Sequence, residues 1–204
     1  MKAFIRPPIQ TQSGIAFLDI RFGTLNDADN LDSWSEATRS DGSTRTLDAI
    51  ELATLAGKRW RYYSGRNEAA SSLDDLVQRS SGTLNEIGFL LVAELPGIPH
   101  VVATAWCRRT WCNHLVLDLL ATNPSYGRAQ GFRHVGISML LALAHITRRL
   151  EIPLIWGEAT SDSAGFYKTA ALQENRRKVQ DHFFIRGKNL ANLRKAATPY
   201  SAEL

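Results

Sequence analysis

The chain predicts a mixed α/β domain with a twisted, mostly antiparallel sheet that contains one parallel pair. Three observations predict it. Residues 86–94, 100–107 and 111–121 are successive apolar runs, separated by Pro96-Gly97-Ile98-Pro99 and by Arg108-Arg109-Thr110, which is the pattern of an antiparallel meander. Apolar residues then recur at helical spacing from Ile137 to Leu150. A second short apolar run, Ile152 to Trp156, follows that helix. Strand, helix and strand in this order predict that Leu115–Ala121 and Ile152–Trp156 lie parallel, joined by a right-handed crossover.

Residues 1–13 are polar and carry prolines without periodicity, so a loose N-terminal arm is expected there. Alternation from Phe17 to Phe22 predicts a strand over Ile15–Phe22. Thr24 is a capping residue with acids in the following turn, which predicts a helix start. Ser40–Arg45 reads as a loop around Asp41-Gly42. Leu47, Ile50, Leu52, Leu55 and Trp60 place a helix over Leu47–Tyr63, and Ser71-Ser72 precede a short helix with Leu73, Leu76 and Val77. Thr160-Ser161-Asp162-Ser163 reads as a polar turn that opens onto a helix at Gly165–Lys168. Gln180–Arg186 reads as a last strand. Residues 188–204 read as a basic and then polar tail, which leaves 14–187 as a single domain.

Composition bounds the function. The chain has 204 residues, 44% of them apolar, which is enough for one domain with a proper core. A net charge of +4 and a pI of about 9.3 suit polyanionic ligands. No apolar run approaches the roughly 20 residues that cross a bilayer, and the first residues lack the apolar stretch of a signal peptide. A cytoplasmic protein without membrane contact is expected. Cys107 and Cys112 flank a turn and have no histidines clustered around them, so reduced thiols are expected and no metal site.

Chemistry concentrates between His114 and Leu172. Leu115–Ala121 is apolar on both faces except at Asp118. A buried carboxylate is costly without partners. Asp118 is therefore either satisfied by a neighbouring arginine or backbone donors, or it serves as a base or water-holder. His114, at the start of that run, reads as a strand-end residue. The loop that follows holds Arg128, Gly131, Arg133, His134, Gly136 and Ser138. It is glycine-bearing and basic, and it leads into a helix N-terminus with unpaired N–H groups, a ready site for a phosphate. It is neither a P-loop nor a dinucleotide fingerprint, because the glycine and lysine offsets are wrong.

Arg133-His134-Val135-Gly136-Ile137-Ser138, after an apolar strand and before an apolar helix, resembles the acyl-CoA pyrophosphate motif of the GNAT superfamily of N-acyltransferases, Gln/Arg-x-x-Gly-x-Gly/Ala. Ser138 departs at the last position but is small. Asn123-Pro124-Ser125-Tyr126 resembles the turn after the family's fourth strand. Gly165-Phe166-Tyr167-Lys168-Thr169-Ala170-Ala171-Leu172 resembles its later Phe-Tyr-x-x-x-Gly-Phe segment, with Ala171-Leu172 in place of Gly-Phe. The resemblance covers about Asn85 to Ile185. The interval from Pro124 to Gly136 is longer than the family's, so 127–131 is either an insertion or part of the pyrophosphate site.

The resemblance implies a sheet whose two parallel strands splay, with acetyl-CoA as co-substrate and no metal. The pantetheine arm would pair with backbone near Leu119, Leu120 and Ala121. The phosphates would meet Arg128 and Arg133 to Ser138, that is Arg133, His134, Val135, Gly136, Ile137 and Ser138, with Ser163 and Phe166 also at the cofactor. Tyr167 matches the tyrosine that meets the sulfur. Asp118 and Glu158 are the candidate bases, with a water chain as the alternative. The acceptor would lie against parts of 47–63, including Trp60-Arg61-Tyr62-Tyr63, and a last hairpin at 183–186. A small-molecule primary amine is the expected acceptor. A protein amine, an aminoacyl-tRNA or a non-catalytic interaction role are the alternatives, in a monomer or homodimer.

Overall fold

The computed structural model describes residues 2–34, 44–81, 85–169 and 182–202. Three antiparallel strands form its centre: β4 (Ile87–Glu94), β5 (Val101–Arg109) and β6 (Leu115–Thr122). β3 (Asp19–Phe22) pairs antiparallel with β4 at one edge. On the other side β6 pairs parallel with β7 (Leu154–Glu158), and β7 pairs antiparallel with β8 (His182–Arg186). The sheet order is β3-β4-β5-β6-β7-β8, with the expected parallel pair in place.

The two faces of the sheet are covered by different helices. On one face α4 (Val135–Arg149) buries Met139, Leu140, Leu143 and Ile146 against Leu115, Leu117, Ile155 and Phe183. On the other, α1 (Leu25–Leu31) and α2 (Thr44–Gly65) bury Ala28, Leu31, Ala53, Ala56 and Trp60 against Leu90, Val92, Trp106, Leu119 and Ala121. Both faces of β4 and β5 are therefore apolar, as a covered sheet requires. Helix α1 starts as its sequence predicts, because Thr24 and Asp27 form a reciprocal capping box. Asp27 also takes both terminal nitrogens of Arg21, at 2.7 and 2.8 Å, which ties α1 to β3. Ser72 caps α3 (Leu73–Ser80) through the Asp75 N–H.

Several expectations are corrected. The N-terminal arm is not loose. Pro8–Thr11 (β1) and Gly14–Phe17 (β2) form a hairpin, and Gln10 exchanges two backbone hydrogen bonds with Arg133. The single strand expected over Ile15–Phe22 is therefore two, broken at the fully buried Leu18, because β2 pairs with β1 while β3 joins the main sheet. The polar tail contains helix α6 (Gly187–Ala197), whose Leu190, Leu193 and Ala197 share one face and pack on the α4-side core. Arg194 of α6 donates to the carbonyls of Thr147 and Ile152 and so closes the end of α4. The last hairpin expected at 183–186 is a single strand, β8, which pairs with β7 and runs on into this helix. Helix α5 (Ser161–Tyr167) begins earlier than expected, because Thr160 and Ser163 form a second capping box, and Tyr167 lies in its last turn. Residues 40–43 of the expected loop, Ala171-Leu172 and Gln180-Asp181 lie outside the described residues, and α2 already begins at Thr44.

Gly157 on β7 marks the end of the parallel ladder, opposite Leu117. A Cβ there would collide with the Leu117 carbonyl oxygen and with the Phe183 ring, 2.8 Å away. Gly157→Ala must push β7 from β6 or displace Phe183, which costs about 1–3 kcal/mol, the usual range for an overpacked core. Thermal unfolding followed by circular dichroism should show that loss, and an unchanged melting temperature would contradict the tight approach.

Candidate active site

The strand register between β5 and β6 creates the site. Trp106 lies opposite Leu119, but Cys107 lies opposite Leu117, so Asp118 is an extra residue with no cross-strand partner. One extra residue reverses the alternation of a strand and bends it. Accordingly, Leu115 and Leu117 belong to the α4-side core, whereas Leu119 and Ala121 belong to the α2-side core. The parallel ladder to β7 covers only Leu115–Leu117 and stops at this bulge. Beyond it, one edge of β6 has no strand beside it among the described residues.

The direction of the exposed peptide groups follows. The Asn123 N–H donates to the Val102 carbonyl of β5 at 2.8 Å. Peptide groups alternate sides along an antiparallel strand, so Leu119 and Ala121 also turn theirs toward β5. Leu120 and Thr122 turn theirs toward the open edge. Of the three residues expected to pair with a pantetheine arm, Leu120 has the right direction and Leu119 and Ala121 do not. Thr122 shares the direction of Leu120, which strand alternation shows only once the register is known.

A cavity of about 520 Å³ lies along this edge. It is lined by Leu120, Thr122, Tyr126, Gly127, Arg128 and Phe132, then by Arg133 to Ile137, and by Ser163, Phe166 and Tyr167. Most of the residues expected from the sequence are thus brought together. Ser138 is not a lining residue; its hydroxyl is turned to the Pro8 carbonyl of the hairpin. Tyr126 and Phe132, stacked edge to face at 5.5 Å, were not among the expected site residues. Gly127 and Arg128 line the cavity, while the Gln130 carbonyl accepts from Gln12 of the β1–β2 turn. The extra loop residues are therefore divided between the cavity wall and the hairpin.

The electrostatics favour an anion at one end. His134, the N-cap of α4, has a left-handed backbone (φ 72°) and gives no side-chain cap. The first N–H groups of a 15-residue helix are thus left for a ligand, at the positive end of its dipole. Arg128 and Arg133 are exposed beside them, and no carboxylate lines the cavity among the described residues. Gly136 is the point of closest approach, since a Cβ there would stand 3.0 Å from the Phe166 ring.

At the other end Tyr167 is only 5% exposed. Its ring stacks on Phe183 at 3.8 Å and meets Phe166 edge to face at 5.0 Å. Burial, with the nearby Cys107 thiol adding a little, pushes its hydroxyl well above the ordinary tyrosine value. The phenol is therefore held neutral, as a donor.

The two candidate bases are not in this cavity. Asp118, 12% exposed, is turned to the α2 face and is held there by Arg108, at 2.6 and 2.8 Å, with Arg59 at 3.5 Å. Of the alternatives for this residue, the structure displays the satisfied ion pair. Glu158, at the end of β7, is 76% exposed and lies 3.4 Å from the His182 imidazole. Alternation along β7, with Ile155 in the α4-side core, puts Glu158 on the α2 side as well. Tyr167 and the carboxylates thus flank the mouth of the open β6–β7 edge from opposite faces of the sheet. Both cysteines are free. No group of metal-ligating side chains occurs among the described residues, and no helix there is long and apolar enough to cross a membrane.

No family model and no curated protein sequence matches the chain. Solved structures do. A GNAT-family protein from Desulfovibrio desulfuricans superposes with a TM-score of 0.50 at 14% identity, over 84% of this chain and 99% of that one. FdhC, a nucleotide-linked sugar GNAT, superposes with a TM-score of 0.53 at 8% identity, over 91% and 95%. The chain has the fold of the GNAT acyl-CoA N-acyltransferases, a mixed sheet of the same type flanked by helices.

The raised value of Tyr167 has a consequence for stability. Folding holds the proton more tightly than the unfolded chain does, so this contribution is full below pH 10.0, the reference value, and is lost as pH rises beyond it. The wild-type melting temperature should therefore fall more steeply above pH 10 than that of Tyr167→Phe. Parallel curves would mean that the hydroxyl is not buried as described.

Proposed function

We propose that the protein is an N-acetyltransferase that moves an acetyl group from acetyl-CoA to the primary amine of a small molecule. The open β6 edge beside an uncapped, basic helix N-terminus carries this reading. A pantetheine arm offers amides that match an unpaired strand edge, and a pyrophosphate matches free N–H groups beside arginines. Val135, Gly136 and Ile137 hold the phosphates through their backbone, with Arg128 and Arg133 at the rim. Leu120 and Thr122 take the arm in the manner of an added strand. Phe166 packs behind the loop.

The chemistry needs no covalent intermediate on the protein. The neutral amine nitrogen forms a bond to the thioester carbon, the carbon–sulfur bond breaks, and the second proton of the attacking nitrogen passes through water to the departing sulfur, so that an amide and a thiol result. Glu158, directly or through water, receives the proton that the ammonium loses on the α2 face. Tyr167 donates to the departing sulfur from the α4 face. With its hydroxyl held above 10.0, and a thiol near 8.5 in water, full transfer to a thiolate is uphill. Tyr167 therefore acts as a hydrogen-bond donor as charge builds on sulfur.

Acetyl-CoA should raise the melting temperature of the wild type, since a ligand bound only by the folded state stabilises it. Gly136→Leu should abolish that rise, because the new side chain meets Phe166. No rise with any acyl-CoA would overturn the reading. Turnover of Tyr167→Phe in an amine panel should fall by roughly a hundredfold at nearly unchanged acetyl-CoA affinity. Retained turnover with chemistry shown to limit the rate would remove Tyr167 from the mechanism.

The net charge of +4 also suits a polyanionic acceptor. Salt separates the two, since nucleic-acid binding weakens steeply with ionic strength and a small amine responds little.

A further inference from the structure

We propose that Asp118 is a positioning residue, whose ion pair with Arg108 pins the β6 bulge and so keeps the strand edge at Leu120 and Thr122 open for the pantetheine arm. The inference rests on the acyl-CoA reading for its functional half. Its structural half stands alone.

A bulged residue lacks the cross-strand partner that fixes its neighbours. Trp106 faces Leu119 and Cys107 faces Leu117, so no β5 residue faces Asp118. The side chain supplies the missing anchor. Arg108, on the adjacent strand, donates from Nε to Oδ2 at 2.6 Å and from Nη2 to Oδ1 at 2.8 Å. This is the paired geometry in which arginine fixes a carboxylate in orientation as well as position. The arginine is itself braced. Its Nη1 donates to Glu86 at 2.8 Å, and the Tyr63 hydroxyl donates to the other oxygen of Glu86 at 2.7 Å. Tyr63 belongs to α2, and its ring lies edge to face on Trp106 at 5.1 Å. Arg59 of α2 approaches Asp118 from above at 3.5 Å. The chain Tyr63–Glu86–Arg108–Asp118 thus runs from helix α2 across the edge of β4 and over β5 to the one unpartnered residue of β6.

The bulge is what the site requires. Without it the ladder of β6 to β7 could continue past Leu117 and Gly157, and the unreversed alternation would turn the peptide groups of Leu120 and Thr122 toward β5, away from a ligand. Losing the pin lets the segment 118–122 fluctuate between the open and a more regular path. The helix N-terminus at Val135–Ile137 lies on a different element and is untouched. The cost should therefore fall on the arm and not on the nucleotide.

Affinity should be measured by calorimetry on the full chain for acetyl-CoA and for adenosine 3′,5′-bisphosphate, which lacks the pantetheine arm. Asp118→Ala should weaken acetyl-CoA binding about tenfold, the scale of a lost charge-assisted pair, and leave the nucleotide affinity within about twofold. Asp118→Asn, which keeps the shape and one acceptor oxygen, should fall between. It also serves as the test if the alanine variant does not fold. Equal losses for both ligands would make the ion pair a general stabiliser and overturn the proposal. Unchanged acetyl-CoA affinity with lost turnover would overturn it too, since Asp118 would then be acting in the chemistry. Amide hydrogen exchange without ligand decides the structural half. Asp118→Ala should exchange faster at Leu119 and Ala121 with β4 unchanged, and no difference there overturns the pin. Wild-type protein that binds no acetyl-CoA would refute the acyl-CoA reading and the proposal's functional half with it, and exchange alone would then judge the bulge.

Discussion

The site depends on one mismatch in a ladder of hydrogen bonds. β6 carries one residue more than β5 can face, and that residue is Asp118. The excess reverses which side chains enter which core, so Leu119 and Ala121 serve the α2 side while Leu115 and Leu117 serve the α4 side. It also ends the pairing with β7 after Leu117. Gly157 sits opposite that end, and its lack of a side chain lets the strands meet there before they part. A row of peptide groups near the middle of a sheet is thereby left without a strand partner among the described residues, which a folded protein tolerates where water or a ligand supplies one.

The surrounding elements are arranged about that edge. α4 leaves the end of β6 through a loop whose last residue, His134, has a left-handed backbone. The loop does not stand alone, because the N-terminal hairpin pairs with Arg133 through Gln10 and contacts Gln130 through Gln12. The hairpin therefore stiffens the basic end of the cavity from outside the sheet. At the other end the aromatic group of Phe166, Tyr167 and Phe183 closes the cavity and buries the tyrosine hydroxyl. An uncapped helix N-terminus beside two arginines, an open strand edge and a neutral donor follow one another along a single cleft. The carboxylates of Asp118 and Glu158 stay on the far face of the sheet, away from the cavity.

Departures from the family pattern have local physical causes. Ser138 replaces a glycine or alanine and can do so because its hydroxyl is turned to the Pro8 carbonyl, away from the cavity. The long interval between Pro124 and Gly136 folds as two short turns, Pro124–Tyr126 and Arg128–Gln130, which bring Tyr126, Gly127 and Arg128 to the wall. The chain after β8 turns into α6 at Gly187, which has a positive φ of 53°. It packs back on α4 instead of returning as a strand.

The amino-acid sequence by itself determined the meander of β4, β5 and β6, the crossover through α4, the parallel β6–β7 pair and the caps at Thr24 and Ser72. It also determined the basic loop that opens α4. These follow from local pattern, since period, turn chemistry and capping act within a few residues of chain. It named Asp118 as the anomaly in an apolar strand and left its role open. Only the tertiary structure decided that role, because a bulge is a relation between two strands and Arg108, ten residues away, has to fold onto it. The hairpin at residues 8–17 and helix α6 were likewise decided by packing. The first has too few residues for a period to be read, and the second has only two large apolar side chains, Leu190 and Leu193, to mark the face that meets α4. The direction of the Leu120 and Thr122 peptide groups was decided last, by the strand register that the bulge sets.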